Sequence, residues 1–260
     1  MKLDDDIALA LRLADAAGGI IKPYFRSPMS SERKGDATPV TIADREAEEA
    51  MRRILKAEAP RDAVHGEEFG ATAGNSGRTW VLDPIDGTAG FLAGRPIFGT
   101  LIALVVEGWP VLGVIDQPIT GERWIGASGR ATTLNGREVR TRTCRNLSDA
   151  TLATTGPHYF DNHEGGHFMA LAAKTDHRRM VMGGDCYNYA QLATGQLDIV
   201  CEANLKLHDW AALVPVVEGA GGMMCDWNGD PLHAASTGHV LALGDPARLE
   251  DVVEALACEH

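Results

Sequence analysis

The chain has 260 residues, of which 45% are hydrophobic and 23% charged, proportions that are typical of a soluble globular protein. Its 24 Lys and Arg against 36 Asp and Glu give a formal net charge of −12. This balance argues against a general binder of nucleic-acid phosphates and against binding to an anionic membrane surface. We therefore expect neither nucleic acid nor membrane among the partners of the protein.

The cysteines indicate a reducing compartment. They are odd in number, widely scattered and lack the C-x-x-C spacing, so neither a disulfide framework nor a zinc site is expected. They are Cys144, Cys186, Cys201, Cys225 and Cys258. The amino terminus lacks the basic-then-apolar pattern of a signal peptide, and no run approaches the roughly 18 apolar residues of a membrane span. We expect a soluble, cytoplasmic protein.

The first half of the chain predicts two helices followed by antiparallel strands. Apolar residues recur at helical spacing over residues 5–25, and a second helix is predicted over residues 42–59, ending at Pro60. The polar residues 27–38 between them predict a loop or a loose hairpin. A short strand is predicted at residues 79–83. A meander should follow, with strands at residues 98–106, 110–116 and 122–127.

The second half alternates strands and helices. Strands are predicted at residues 151–154, 197–201, 223–226 and 240–243, and helices near residues 163–174, 187–194 and from Asp209. The last helix should open at Asp245 as N-cap, with Pro246 in the first helical position. This order predicts an α+β subdomain over residues 1–147 and an α/β subdomain over residues 148–260.

The most informative segment follows the predicted strand at residue 79. It reads Asp83-Pro84-Ile85-Asp86-Gly87-Thr88. Pro84 should end strand pairing, and two carboxylates three residues apart on a turn can converge on one hard cation or on a pair of cations. The backbone N–H groups of Gly87 and Thr88, at a helix start, would favour a phosphate. The alternative is a strand end followed by an ordinary Asp-Gly turn.

Two further acidic segments strengthen the prediction of a metal and phosphate site. Glu67 and Glu68 lie at a glycine-bounded corner shortly before the strand, and Asp209 opens a predicted apolar helix that ends in a glycine-rich segment. Asp209 is either a simple N-cap or an N-cap whose carboxylate faces a metal.

Together these segments resemble the inositol monophosphatase family of Mg²⁺-dependent, lithium-sensitive sugar and polyol phosphatases. The resemblance extends from Thr41 to the terminal helix, and it implies a layered αβαβα sandwich of the inositol monophosphatase and fructose bisphosphatase type. It also implies a homodimer and two or three Mg²⁺ per active site. Within the family, the chain is most similar to the branch that acts on histidinol phosphate, on less specific segments around residues 98–104, 113–126 and 184–189.

The resemblance also implies roles for individual residues. One metal is expected on Glu67, Asp83 and the backbone carbonyl of Ile85, and a second on Asp83, Asp86 and Asp209. Thr88 with Asp44 resembles the hydroxyl and carboxylate pair that orients the attacking water, with Glu67 beside it. Lys34 matches a loop that covers the phosphate in relatives; a solvated lysine is the alternative. Asp86, Gly87, Thr88 and Asp209 are also expected to contact substrate.

Substrate choice is expected to depend on Asp185 and Glu202. Histidinol carries a protonated amine and an imidazole, so acids that pair with them are physically sensible. Asn204 is a weaker candidate, and Asp185 as a helix cap is the alternative. Met180 stands where inositol-cleaving relatives tend to have Arg, and Arg178 and Arg179 lie just upstream of it. Whether an arginine side chain contacts the substrate there is left open by the sequence.

The sequence therefore predicts an Mg²⁺-dependent phosphatase acting on L-histidinol phosphate by attack of an activated water. An inositol monophosphatase or a broad sugar-phosphate phosphatase is the first alternative. A nucleotide 3′-phosphatase is disfavoured because no basic or aromatic cradle for a base is visible. A non-catalytic regulator is disfavoured because every metal carboxylate is present.

Overall fold

The computed structural model describes residues 3–27 and 39–257. Lys34, and all of the predicted 27–38 loop except Ser27, lie outside the described residues. The described part has five layers, helices alternating with sheets, which confirms the predicted αβαβα sandwich. No helix among the described residues is long and apolar enough to cross a membrane.

The first sheet has eight strands in the order β2-β1-β3-β4-β5-β6-β7-β8. They are β1 (Ala63–Gly66), β2 (Gly70–Thr72), β3 (Arg78–Asp86), β4 (Gly99–Val106), β5 (Trp109–Gln117), β6 (Glu122–Ala127), β7 (Thr133–Leu134) and β8 (Arg137–Glu138). β4 to β6 form the predicted antiparallel meander. β3 extends it by pairing antiparallel with β4, whereas β1 pairs with β3 in parallel. The short strands β1 and β2 have too few residues for a clear alternating pattern, so the sequence did not predict them.

The second sheet has five strands in the order β10-β9-β11-β13-β12. They are β9 (Leu152–Thr154), β10 (Val181–Met182), β11 (Ile199–Glu202), β12 (Met223–Cys225) and β13 (Val240–Leu243). β9, β10 and β11 are parallel, and β13 runs antiparallel to both of its neighbours. The chain passes from the first sheet to the second between β8 and β9. The subdomain division at residues 147 and 148 stays a prediction, as does the homodimer.

The helices form the other three layers. They are α1 (Leu3–Ile21), α2 (Pro39–Glu58), α3 (Thr88–Leu92), α4 (Asn162–Lys174), α5 (Cys186–Ala193), α6 (Leu207–Trp210), α7 (Leu213–Gly219) and α8 (Leu249–Leu256). α1 and α2 pack on the outer face of the first sheet, α5 to α7 lie between the sheets, and α4 and α8 cover the second sheet.

Alternating strand residues supply the cores on either side of each sheet. In β3, Trp80 and Leu82 join the core beneath α1 and α2, whereas Val81 faces the central helices. Glycines in the first sheet let α7 approach its backbone closely. A Cβ on Gly113 would lie 1.9 Å from the carbonyl oxygen of Ala212, and one on Gly126 would lie 2.1 Å from that of Pro215. The central layer therefore joins the two sheets in one core.

Several predicted boundaries differ from the structure. The first helix ends at Ile21 rather than residue 25, and a 3₁₀ turn containing Pro23 follows because proline cannot continue the backbone hydrogen bonding. Pairing is interrupted at Pro84 as predicted, but the strand does not end there. β3 continues to Asp86, which pairs with Gly99 after a register shift that accommodates the proline. Asp245 accepts a hydrogen bond from the N–H of Ala247 as predicted for a cap, but it caps a 3₁₀ turn over Pro246–Arg248, and α8 itself begins at Leu249 after Arg248.

Candidate active site

A pocket of about 240 Å³ opens between the two sheets, where β3, α5, β11 and α6 meet. Most of the predicted site residues line it. They are Glu67, Asp83, Ile85, Asp86, Gly87, Thr88, Asp185, Glu202, Asn204 and Asp209. We call Glu67, Asp83, Asp86 and Asp209 the carboxylate cluster, and Asp185 with Glu202 the acidic wall.

The end of β3 positions two members of the carboxylate cluster. Asp83 is buried, and its Oδ1 accepts a hydrogen bond from the N–H of Ile85 at 3.1 Å. The register shift after it turns the chain, and the hydroxyl of Thr100 donates to the carbonyl of Pro84 at 2.7 Å. Asp86 Oδ2 then accepts from the N–H of Cys186 at 2.6 Å, which ties the first sheet to the start of α5.

The corner between β1 and β2 positions Glu67. Glu48 of α2 holds this corner in place. It is fully buried and accepts hydrogen bonds from the N–H groups of Glu68 at 2.8 Å and Phe69 at 3.2 Å. Arg52, one helical turn along α2, donates to Glu48 at 2.7 Å. A Cβ on Gly66 would lie 2.0 Å from Glu48 Oε1, so this approach requires glycine.

Asp209 reaches the cluster from α6. The prediction that it caps a helix is wrong, because the N-cap of α6 is Lys206 and Asp209 is the third residue of the helix. Its Oδ2 accepts from the N–H of Lys206 at 2.6 Å, which fixes the carboxylate at the first turn.

Two overlapping groups of side chains could hold metal ions. Ligand atoms of Asp83, Asp86 and Asp209 lie within 4.8 Å of one another, and so do those of Glu67, Asp83 and His208. Asp83 belongs to both groups, as expected for a carboxylate shared between two ions. Carboxylate oxygens are the ligands that Mg²⁺ prefers.

Electrostatics supports a cationic occupant of the cluster. Burial, followed by repulsion from Asp86 and Glu67, raises the pKa of Asp83 well above its usual value. Burial, followed by repulsion from Asp185 and Asp209, does the same to the pKa of Asp86. Burial also raises the pKa of Asp209. Buried carboxylates held this close together bind protons or cations more strongly than isolated ones. A bound divalent ion would therefore relieve the repulsion.

Asp44 and Thr88 lie next to the cluster. Asp44 is buried in α2, and burial together with repulsion from Glu67, Glu68 and Glu48 raises its pKa to about 8. Its Oδ1 has no hydrogen-bond partner among the described residues. The hydroxyl of Thr88 donates to the carbonyl of Ile85 at 3.3 Å rather than to Asp44.

The acidic wall is held by elements of the second sheet. Glu202, buried at the end of β11, accepts from both the N–H and the hydroxyl of Thr155, at 2.8 and 3.0 Å. Asp185 occupies the N-cap position of α5 without making a capping hydrogen bond, so the capping alternative does not describe it. Its carboxylate would lie 3.1 Å from a Cβ on Gly87, a residue whose φ of +89° also favours glycine.

Both acids of the wall have raised pKa values. Burial raises the pKa of Glu202 to about 7, against the opposing hydrogen bonds from Thr155. Burial raises the pKa of Asp185 to about 6. Neither acid forms an ion pair within 4 Å of a basic side chain of the described ranges, although the charges of His158 and Arg95 oppose part of the rise in the pKa of Asp185. The wall therefore offers two acids, neither in a direct ion pair with a described residue, inside a pocket.

Other predicted contacts lie elsewhere. The amide nitrogen of Asn204 donates to the carbonyl of Tyr159 at 2.7 Å and to Glu164 at 3.1 Å, so Asn204 positions the segment that carries Tyr159. Arg178 and Arg179 both pair with Asp176 and do not line the pocket.

Sequence reasoning missed several residues of the site, among them Thr155, which holds Glu202, and also Glu48 and His208. Glu48 lies four residues after Asp44 on the same helix face, a spacing that could have indicated it. His208 directly precedes Asp209, but a single histidine beside a predicted helix carries little signal on its own.

Comparison with known proteins agrees with this geometry. A model of the inositol monophosphatase family matches residues 2–259. The chain is 45% identical to the chloroplastic bifunctional phosphatase IMPL2 of Arabidopsis thaliana, over 98% of this chain and 76% of that one. It is 37% identical to a histidinol-phosphatase of Chlorobaculum parvum, over 86% of each chain. A solved inositol monophosphatase from Zymomonas mobilis is 49% identical, with a TM-score of 0.93 over 99% of this chain and 100% of that one.

Proposed function

Because this chain belongs to the inositol monophosphatase family and is a phosphatase of that family, we propose that it hydrolyses L-histidinol phosphate to L-histidinol and phosphate. The observation that carries the proposal is the acidic wall, whose two carboxylates share the pocket with the carboxylate cluster and form no ion pair within 4 Å of a described basic side chain. L-Histidinol brings an ammonium group and an imidazole to such a wall, whereas inositol brings only hydroxyl groups.

The carboxylate cluster fits Mg²⁺, since all its side-chain ligands are oxygens. Glu67, Asp83 and the carbonyl of Ile85 would hold one ion, and Asp83, Asp86 and Asp209 a second. The family resemblance also allows a third ion in the same site. When bound, the ions supply positive charge to the phosphoryl oxygens and acidify a water molecule. The phosphate end of the substrate is therefore expected at this cluster, beside the N–H groups of Gly87 and Thr88.

Asp44 supplies the proton acceptor in this proposal. Its unpartnered Oδ1 can accept a hydrogen bond from the hydroxyl of Thr88 or from the attacking water. Burial, followed by repulsion from Glu67 and Glu68, raises its pKa to about 8, so cations bound at the cluster would lower this pKa and favour the carboxylate form. Asp44 would then orient and deprotonate the water, with Glu67 beside it.

The acidic wall holds the leaving group. Thr155 fixes the Glu202 carboxylate through two hydrogen bonds, and the missing cap at α5 leaves Asp185 free to face the pocket. An arriving ammonium or imidazolium favours the ionised form of each acid, because an adjacent opposite charge lowers a raised pKa. Ion pairs at this wall would place the ester oxygen at the carboxylate cluster.

A second candidate is an inositol monophosphatase or broad sugar-phosphate phosphatase that uses the same residues. The observation that favours it is the 49% identity and the TM-score of 0.93 to the Zymomonas mobilis inositol monophosphatase. In that case the acidic wall would accept hydrogen bonds from hydroxyl groups rather than pair with cations.

Phosphate release from a panel of substrates separates these candidates. Purified protein with Mg²⁺ is assayed on L-histidinol phosphate, inositol 1-phosphate and fructose 1,6-bisphosphate. We expect kcat/KM for L-histidinol phosphate to exceed the other two values by at least about tenfold, the effect of one good ion pair. Efficient release from inositol phosphate without release from L-histidinol phosphate would overturn the proposal and favour the second candidate.

A further inference from the structure

His208 lies where a third metal ligand would lie, although the predicted ligand set contains only oxygen atoms. It is 6% exposed, and one of its ring nitrogens is within 4.8 Å of carboxylate oxygens of both Glu67 and Asp83. In an octahedral or tetrahedral site with bonds of about 2.1 Å, ligand atoms lie no more than about 4.2 Å apart. A small inward shift of these three side chains therefore completes a site.

The hydrogen bonding of His208 leaves one ring nitrogen available. Nδ1 is buried and has no hydrogen-bond partner among the described residues, which is costly for a polar atom unless something else binds it. Nε2 lies 3.4 Å from Oδ1 of Asp209. With the Asp209 carboxylate beside Nε2, the unpartnered Nδ1 is the ring nitrogen available to bind a metal ion, and a carboxylate near the other nitrogen is common behind histidines that bind metals.

We propose that His208 is a nitrogen ligand of the Glu67–Asp83 metal site, and that this site binds a borderline transition-metal ion such as Mn²⁺, Co²⁺ or Zn²⁺ in preference to Mg²⁺. Imidazole nitrogen suits these ions, whereas Mg²⁺ selects oxygen. The second group, Asp83, Asp86 and Asp209, contains only carboxylates and keeps its preference for Mg²⁺. The two neighbouring sites thus differ in the metal they select.

A neighbouring histidine provides a matched control. The ring of His65, in β1, stacks on the ring of His208 with centroids 5.9 Å apart and an interplanar angle of 23°. His65 belongs to neither group of possible ligands. The variants His208→Phe and His65→Phe therefore remove the same kind of side chain from adjacent positions, and only the first removes the proposed ligand.

The test is electron spin-echo spectroscopy of the full chain loaded with enough Mn²⁺ to fill two sites. We expect ¹⁴N modulation from a coordinated imidazole in the wild type and in His65→Phe, and its loss in His208→Phe. In calorimetric titrations, His208→Phe should weaken binding of the first Mn²⁺ by at least about tenfold and change Mg²⁺ affinity by less than about twofold. His208→Gln, which keeps a polar side chain, serves where the phenylalanine variant does not fold.

The outcomes separate this inference from the metal site on which it rests. Bound Mn²⁺ without nitrogen modulation in the wild type, or modulation that persists in His208→Phe and His208→Gln, overturns the role of His208 and leaves the carboxylate cluster in place. Failure of the wild type to bind Mn²⁺ or Mg²⁺ overturns both the inference and the metal-dependent mechanism of the proposed function.

Discussion

The carboxylate cluster and the acidic wall face the same pocket but are built in different ways. Asp83 and Asp86 come from one strand end, whose geometry is set by a register shift and local hydrogen bonds. Asp185 and Glu202 come from two separate elements and depend on contacts with residues far away in the sequence. Chemistry common to phosphatases can therefore be encoded in a short motif, whereas substrate preference is encoded in tertiary structure.

The two regions also differ in how repulsion is relieved. Burial is the largest cause of the raised pKa values in both regions. In the carboxylate cluster, repulsion from neighbouring acids raises the pKa values of Asp83 and Asp86 further, so bound cations are needed to keep them ionised. In the acidic wall, hydrogen bonds from Thr155 offset part of the effect of burial at Glu202. The carboxylate cluster thus needs bound metal ions to be fully ionised. In the proposed function, the acidic wall gains its positive partner only when the substrate binds.

The largest expected effect comes from Asp83→Asn. Asp83 belongs to both groups of possible ligands, so its loss should lower kcat at least about a thousandfold, several kcal/mol in the transition state. Without metal, the same variant should be more stable than the wild type at high pH, where ionisation of the buried Asp83 is costly. Steady-state kinetics and thermal unfolding measure the two effects, with the exposed Asp230→Asn as control. Activity within tenfold of wild type would show that the cluster does not carry the chemistry.

Asp44→Asn should have the next largest effect. Removing a proton acceptor costs about a hundredfold or more in kcat and should leave KM within about twofold, because Asp44 does not contact the leaving group in this account. Glu49→Gln, on the exposed side of the same helix, is the matched control. A change confined to KM would contradict the proposed role and move Asp44 to substrate binding.

The pH dependence of stability distinguishes the metal-free protein from the loaded one. Asp44, Glu202 and Asp185 have pKa values of about 8, 7 and 6, all above the values of unfolded acids. The folded state therefore binds more protons than the unfolded state, and this contribution to stability is lost as the pH rises through those values. Without metal, the melting temperature should fall by a few degrees from about pH 6 to about pH 8.

Mg²⁺ provides the complementary measurement. It should raise the melting temperature more at about pH 8 than at about pH 6, because ions bind the ionised form of the cluster. Asp44→Asn should flatten the metal-free profile. A metal-free melting temperature that increases over this range would contradict the raised pKa values.

The sequence predicted the carboxylate cluster better than the fold around it, and the reason is locality. Asp83, Asp86 and Thr88 follow a recognisable strand, so their proximity needs no tertiary information. The spacing from Asp44 places Glu48 on the same helix face but does not give its role, which depends on a corner between two short strands that propensity does not predict. The αβαβα layers were predicted only from the family resemblance. Alternating and helical hydrophobic patterns identify strands and helices, but they do not show that two sheets share a central helical layer.

Asp209 and Asn204 show the same limit at single residues. Asp209 was correctly assigned to the pocket but incorrectly to a helix cap, since the helix begins two residues earlier, after Lys206. Asn204 lines the pocket, yet its amide is bound to the carbonyl of Tyr159 and to Glu164. Whether the Asn204 amide can bind a substrate therefore depends on hydrogen-bond partners that lie forty or more residues away in the sequence.

The central claim is that the acidic wall selects a cationic leaving group, and one measurement tests it most directly. The ratio of kcat/KM for L-histidinol phosphate to kcat/KM for inositol 1-phosphate is compared between the wild type and the double variant Asp185→Asn, Glu202→Gln. Glu138→Gln, an exposed change on β8, is the control for loss of charge. We predict that the ratio falls at least about tenfold while hydrolysis of inositol 1-phosphate is retained. An unchanged ratio would contradict the account.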